Sequence, residues 1–253
     1  MSKIATYSER RANEIINMFE IRYPIDLYSL CKQIDIEIID YYKLQVDGYL
    51  YRDVNCKLIF VDKKIKNDGK KRFVIAHELG HYFLHSKELM QICSEVSEIF
   101  NRQKSISLHE KEANQFSAEL LAPTNLVSKE LPNRALNFKI IQQLAEKFDV
   151  SITSMAIKCV KNSKTEGETL FCLKNNSIYW CVNSDDEIDY RLIPSSAPYG
   201  SLAYEIVEGI NDGAKKRVNS GVWRLYRGEV VEEVFMISTD TYLILLNGIR
   251  NSW

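Results

Sequence analysis

Histidine is almost missing from this chain: four imidazoles occur in 253 residues, and all four fall between positions 77 and 109. Cysteine is present but never paired in sequence, since Cys31, Cys56, Cys93, Cys159, Cys172 and Cys181 are scattered with no C-x-x-C. That excludes a zinc ribbon and a redox dithiol motif. Long apolar runs are missing as well. None approaches the roughly 18 residues that a membrane helix needs, and the stretch Tyr242–Gly248 reads as a buried strand. The opening MSKIATYSERR lacks the apolar core of a secretory signal. The expectation is a cytoplasmic protein with reduced thiols, Cys172 and Cys181 included. Finally, a net charge of -1 supplies no general attraction to nucleic acid or to an anionic membrane.

What is there is an ordinary globular composition, 45% hydrophobic, which supports a substantial core. Residues 8–20 carry apolar side chains at helical spacing, with Ser8 as a cap, and a short helix follows Pro24. IEIIDYYKL and VDGYLYRDVNCKLIFVD predict two or three strands, with turn signals at Asp47-Gly48 and Asp53–Asn55. A turn at Asn67–Gly69 precedes a helix over 70–85. Helical character recurs at Met90–Phe100, and another helix runs from Ser107 to Pro123. Residues 137–161 predict a helical pair broken at Phe148–Val150, with the outline of a helix-turn-helix. Its second helix offers mainly Thr153, Ser154 and Lys158 to base edges, so it reads as packing or docking material and direct DNA binding is not expected. The basic run Lys63–Arg72 reads as a solvated turn or, more sharply, as a dock for an acidic segment.

The texture changes after residue 165. A hairpin is expected about Asn175-Asn176, then strands in DYRLIP, GVWRLYR, EVVEEVFMIS and TYLILLNG, with one helix near 201–210. The expected class is α+β, with a domain boundary that separates residues 1–165 from a β-rich 166–253.

The imidazoles begin in RFVIAHELGHYFLH. Residues i and i+4 share a helix face, so His77 and His81 can aim two ring nitrogens at one tetrahedral cation. Glu78 lies about 100° round the helix, placed to act as a base toward a water there. An accidental H-E-x-x-H is rare in a chain with so few histidines. His85 sits about 12 Å from His77 along the axis, too far for the same ion, and is expected beside the site or in solvent. Lys87 occupies the position where an extended H-E-x-x-H-x-x-G-x-x-H motif needs its third histidine.

The third ligand must then come from another helix, and HEKEANQFSAELLAP offers His109, Glu110 and Glu112. Glu110 and Asn114 share a face, which suits a carboxylate ligand with an amide one turn on to orient a ligand histidine. Against this, Ser107 and Glu110 also fit a capping box, in which Glu110 folds back on its own helix and leaves Glu112 freer to ligate. Spacing leaves the choice open.

Together, RFVIAHELGHYFLH and HEKEANQFSAELLAP closely resemble the ImmA/IrrE-type zinc metallopeptidases. The flanking YPIDLYSLCKQIDIEI and IIQQLAEKFDVSITSMAIKCVK are similar to that family too, so the resemblance covers roughly residues 10–165. It implies a zincin-like helical metallopeptidase domain with a small sheet, of the gluzincin type. In that type the third zinc ligand is a glutamate four residues before an Asp or Asn. Carried onto this chain, the pattern implies Zn2+ held by His77, His81 and Glu110, with Asn114 behind them and Glu78 as catalytic base. Ser117 stands where alanine is more usual. The resemblance further implies a protein substrate, a helix-turn-helix repressor inactivated after a stress signal, in bacterial genomes, prophages or mobile elements. Residues 166–253 would then be sensory or partner-binding. A competing expectation is a metal-stabilised regulator that sequesters a transcription factor without cutting it. Glu78 speaks against that, because a structural zinc needs no base and usually closes all four positions.

Overall fold

The computed structural model of the chain describes residues 5–85, 90–92, 107–165, 167–184, 190–224 and 226–250. Contacts divide it into two units, Met1–Thr124 with Ala145–Ser151, and Asn125–Leu144 with Ile152–Trp253.

In the first unit, helix α1 (Tyr7–Met18) opens on a capping box. Thr6 accepts from the Glu9 amide while the Glu9 carboxylate accepts from the Thr6 amide, so the cap is Thr6 and not Ser8. Asp26 caps α2 (Leu27–Gln33). Strands β1 (Glu37–Tyr41), β2 (Gly48–Arg52), β3 (Lys57–Asp62) and β4 (Met90–Ile92) form a sheet of order β1-β3-β2-β4. β1 is parallel to β3, and β2 is antiparallel to both β3 and β4. Gly48, expected in a turn, instead opens β2 opposite Val61. Asp53 does close the β2–β3 turn, its carboxylate accepting from the amides of Asn55 and Cys56. Residues 90–92, expected to be helical, are a strand because pairing with β2 outweighs their local propensity. The rest of that expected helix, 93–100, lies outside the described residues.

Helix α3 (Asp68–Leu84) begins two residues before its expected start, since Asn67 is its cap and accepts from the Lys70 amide. Helix α4 (Leu108–Leu121) starts after the Ser107 cap and stops short of Pro123. The core of this unit joins Leu50, Ile59 and Val61 of the sheet to Ile75 and Leu79 of α3, Phe116 and Leu120 of α4, and Ile15 of α1. Burying each of these side chains is worth about 1.5–3 kcal/mol. Tyr23 donates its hydroxyl to the Leu120 carbonyl at 3.0 Å, and the buried Glu119 accepts from Asn13 and Thr124. These contacts hold α4 in place behind the site.

Helix α5 (Thr124–Glu130) follows, then α6 (Phe138–Phe148) and α7 (Ile152–Lys161), which are the expected pair. The second unit is built on a sheet of β5 (Glu168–Lys174), β6 (Ser177–Asn183), β7 (Lys215–Asn219), β8 (Tyr226–Ser238) and β9 (Thr241–Arg250). Its order is β6-β5-β9-β8-β7, antiparallel throughout. Asn175 and Asn176 take φ of 48° and 56°, the left-handed geometry of a two-residue hairpin. Two strand expectations change here. Within DYRLIP, residues Tyr190–Leu192 form a single 3-10 turn, and GVWRLYR begins in a short helix, α9 (Ser220–Trp223), with only Tyr226 and Arg227 in strand β8. Trp223 stacks on Phe171 at 5.0 Å and donates its indole N–H to the buried Glu232. Glu232 also accepts from the amides of Leu202 and Ala203, at the start of α8 (Leu202–Val207). A buried carboxylate with three donors thus dictates the local chain path. Cys172 pairs with Trp180 and Cys181 with Phe171, so the two thiols are not opposite one another and neither is in a disulfide. Helices and two sheets make the class α+β. Among the described residues no helix is long and apolar enough to cross a membrane.

Candidate metal centre

Three side chains from two helices converge at the centre of the first unit. His77 and His81 are on α3, 2% and 1% exposed, and Glu110 is in the first turn of α4. The His77 and His81 Nε2 atoms are 3.1 Å apart, and the Glu110 oxygens lie 3.2 Å from one and 3.4 Å from the other. A tetrahedral ion with bonds of about 2.0–2.1 Å has ligand–ligand edges of about 3.3–3.4 Å. The separation of the two imidazole nitrogens is close to such an edge, and the Glu110 carboxylate straddles the pair, Oε2 toward His77 and Oε1 toward His81.

Hydrogen bonding fixes the polarity of these donors. His77 Nδ1 is 2.8 Å from Asn114 Oδ1, an oxygen that only accepts. The His77 proton is therefore on Nδ1, and its Nε2 lone pair points at His81 and Glu110. Two imidazole Nε2 atoms and a carboxylate facing one point suit a cation. Burial works to raise the pKa of Glu110, but hydrogen bonds and charge from His77 and His81 outweigh it and bring it down to about 2. Burial depresses His81. Burial also opposes protonation of His77, yet hydrogen bonding to Glu110 and the charges of Glu78 and Glu110 carry its pKa above the usual imidazole value. His77 is thus the donor for which a proton and a metal compete.

Ser107 accepts from the Glu110 amide at 3.3 Å, so half of the capping box forms. The Glu110 carboxylate, however, turns to the histidines. Glu112 goes elsewhere: its Oε2 is 3.0 Å from His85 Nε2. His85 stays out of the His77–His81–Glu110 group and touches it through His81, Nδ1 to Nδ1 at 3.0 Å. His109 is exposed and stacks on His85 with ring centroids 4.2 Å apart. Tyr82 packs edge-on against Phe83 with Lys57 over its ring. In the basic run, Lys70 pairs with Asp47, Lys71 with Asp40 and Arg72 with Asp149, which neutralises much of the patch.

Glu78 is 1% exposed and lies against β2. A Cβ placed on Gly48 would meet Val74 at 2.5 Å and Glu78 Oε1 at 3.6 Å, so only glycine lets the strand pass this close to α3. Gly80 has the same role toward α4, because a Cβ there would sit 3.0 Å from both Cα and O of Ala113. That backbone contact brings Glu110, one turn before Ala113, to the histidines. In sequence Gly48 reads only as part of a turn signal, which does not foretell this close approach. A glycine inside a long helical pattern was the available signal for Gly80. Gly80→Val is expected to push α4 outward, weaken metal binding by about tenfold or more and cost about 1–3 kcal/mol of stability. Chelator competition and thermal unfolding would check both, and unchanged affinity would show that the close approach is not needed.

The family model described as the IrrE N-terminal-like domain of M78 peptidases matches residues 31–159. "Metallopeptidase ImmA" of Bacillus subtilis (strain 168) is 29% identical over 110 residues, 42% of this chain and 60% of the relative. "Uncharacterized immunity region protein 2" of Bacillus phage phi105 is 32% identical over 103 residues, 40% of this chain and 61% of the relative. The chain thus spans about three fifths of the length of each. Among solved structures, a Mycobacterium tuberculosis transcriptional regulator superposes with a TM-score of 0.58 at 12% identity, over 94% of this chain and 74% of that one, a likeness of fold. With the family match running over just over half of its 253 residues, and over α3 and α4 in full, this chain belongs to the M78 peptidase family of IrrE N-terminal-like domains.

Proposed function

We propose that this chain is a zinc-dependent endopeptidase of the zincin-like, gluzincin type that cuts an intracellular protein. The observation that carries the reading is the convergence of His77, His81 and Glu110 on one point, close enough to share a cation, with the buried Glu78 on the same helix as the histidines. Two imidazoles and one carboxylate are a catalytic zinc set, with a coordination position left for water or substrate. Zn2+ bound there supplies Lewis acidity, lowering the pKa of a water toward about 7 and polarising the substrate carbonyl.

The chain's own residues do the rest. Asn114 holds His77 by its Nδ1 proton and keeps Nε2 available. Glu78 receives the proton of the attacking water on a carboxylate oxygen as the new C–O bond forms. It then delivers that proton to the amine nitrogen as the C–N bond breaks. Burial of Glu78 keeps bulk water from taking its place.

The substrate we propose is a helix-turn-helix transcriptional repressor, cleaved in the cytoplasm in response to stress. Support comes from the names of the relatives, a metallopeptidase and a phage immunity-region protein, and from a structural neighbour named as a transcriptional regulator. Residues 1–165 would form the peptidase domain, and 166–253 would sense a signal or bind a partner. To test this, the zinc-loaded protein is incubated with purified helix-turn-helix repressors from the source cells, and the products are mapped by mass spectrometry. New repressor termini that vanish with chelator are expected. A repressor bound but left whole would favour sequestration instead.

A further inference from the structure

A ligand histidine has two ring nitrogens, and the second is as constrained as the first. His81 Nε2 faces His77 and Glu110, and its Nδ1 is 3.0 Å from His85 Nδ1, with both residues buried. Two nitrogens at that distance share one proton. If Nε2 ligates, a neutral His81 must carry its proton on Nδ1, so it donates to His85 Nδ1. A neutral His85 then carries its own proton on Nε2, 3.0 Å from Glu112 Oε2, which accepts it. Only this arrangement satisfies every link while keeping His81 Nε2 free. The opposite tautomers would aim the His81 proton at the cation.

The chain of contacts is held at both ends. His85 ends α3, with its backbone N–H donating to the His81 carbonyl and its own carbonyl accepting from the Arg52 guanidinium of β2. Its ring lies against His109. Glu112 and Asn114 are two residues apart on α4, the helix that also provides Glu110. One helix thus supplies a donor for the cation, an acceptor for His77, and an acceptor that reaches His81 through His85.

We infer that His85, oriented by Glu112, is a positioning residue that locks His81 in its Nδ1–H tautomer and thereby sets zinc affinity. This rests on reading His77, His81 and Glu110 as the metal centre. Hydrogen bonds behind a ligand histidine raise its basicity and fix its ring, and their loss typically lowers metal affinity about 10–100-fold.

The test uses the full chain as wild type, His85→Leu, His85→Asn, Glu112→Ala and His77→Ala. Zinc affinity is read by competition with a chromophoric chelator, and the His81 ring by nitrogen-15 NMR of the histidine-labelled, zinc-loaded protein. His85→Leu should weaken zinc about 10–100-fold and shift the His81 Nδ1–H signal. His85→Asn places an amide oxygen near the lost Nδ1, so it should recover most of the affinity. Glu112→Ala, at a partly exposed site, should fall between wild type and His85→Leu. Wild-type affinity in His85→Leu with an unmoved His81 signal overturns the inference. So does His85→Asn no better than His85→Leu, which would make His85 a packing residue. A second zinc equivalent lost in Glu112→Ala also overturns it, since His85, His109 and Glu112 would then themselves hold an ion. Failure of the parent reading looks different: His77→Ala would bind zinc as tightly as wild type.

Discussion

Glu78→Gln is expected to keep its zinc and lose peptide cleavage. The substitution retains shape in a place with no room to spare, since Glu78 is 1% exposed and its Oε1 lies 3.6 Å from where a Cβ on Gly48 would stand. His77, His81 and Glu110 are untouched, so zinc stoichiometry should stay as in wild type. What disappears is a group that can take a proton from water and return it to the leaving amine, because a carboxamide does neither near neutral pH. Positioned acid–base groups contribute about 10²–10⁴-fold to rate, and a drop of that order in kcat for cleavage of the proposed substrate is expected. Equal cleavage by Glu78→Gln and wild type would remove Glu78 from the chemistry. Full loss of zinc would instead make it part of the metal's support.

That Glu78 and the two histidines were legible in sequence follows from their all lying on one helix, where a period of 3.6 residues fixes their relation before any tertiary contact is known. The strands β1 to β3 and the Asn175-Asn176 hairpin were legible for the same reason, because side-chain type and turn geometry act locally. Relations between elements were not. Ser107 and Glu110 satisfy a capping pattern and also a ligand pattern, and what separates them is the approach of Ala113 to Gly80, a contact 33 residues apart in sequence. Trp223 sits in a stretch that alternates like a strand, yet it becomes part of a short helix because Glu232 and Phe171 draw the indole inward. Residues 90–92 show the reverse, a helical texture recruited into a sheet by β2. His85 lies outside the His77–His81–Glu110 group, in keeping with its distance along the axis. The same i, i+4 rule that joined His77 to His81 also joins His81 to His85, and it was available to find their contact.

The sharpest contrast is between two glutamates two residues apart. Glu110→Gln is expected to lower zinc affinity on the order of 10²–10³-fold, whereas Glu112→Ala should cost about tenfold or less. Glu110 is ionised at any working pH, since its contacts with His77 and His81 hold its pKa near 2 against the opposing pull of burial. It places that charge 3.2 and 3.4 Å from the two ligand nitrogens. Removing one charged partner from a buried group costs about 3–5 kcal/mol, which at 1.4 kcal/mol per decade gives the larger figure. Glu112 is one hydrogen bond further out, on His85, so its loss reaches the cation only through the tautomer of His81. Both variants are read by the same chelator competition over a range of pH, because Glu110→Gln also removes a charge that raises the pKa of His77. If Glu112→Ala lost more zinc than Glu110→Gln, the ligand assignment on α4 would have to be exchanged. The half-formed cap at Ser107 would then mark the real place of Glu110 at its own helix start.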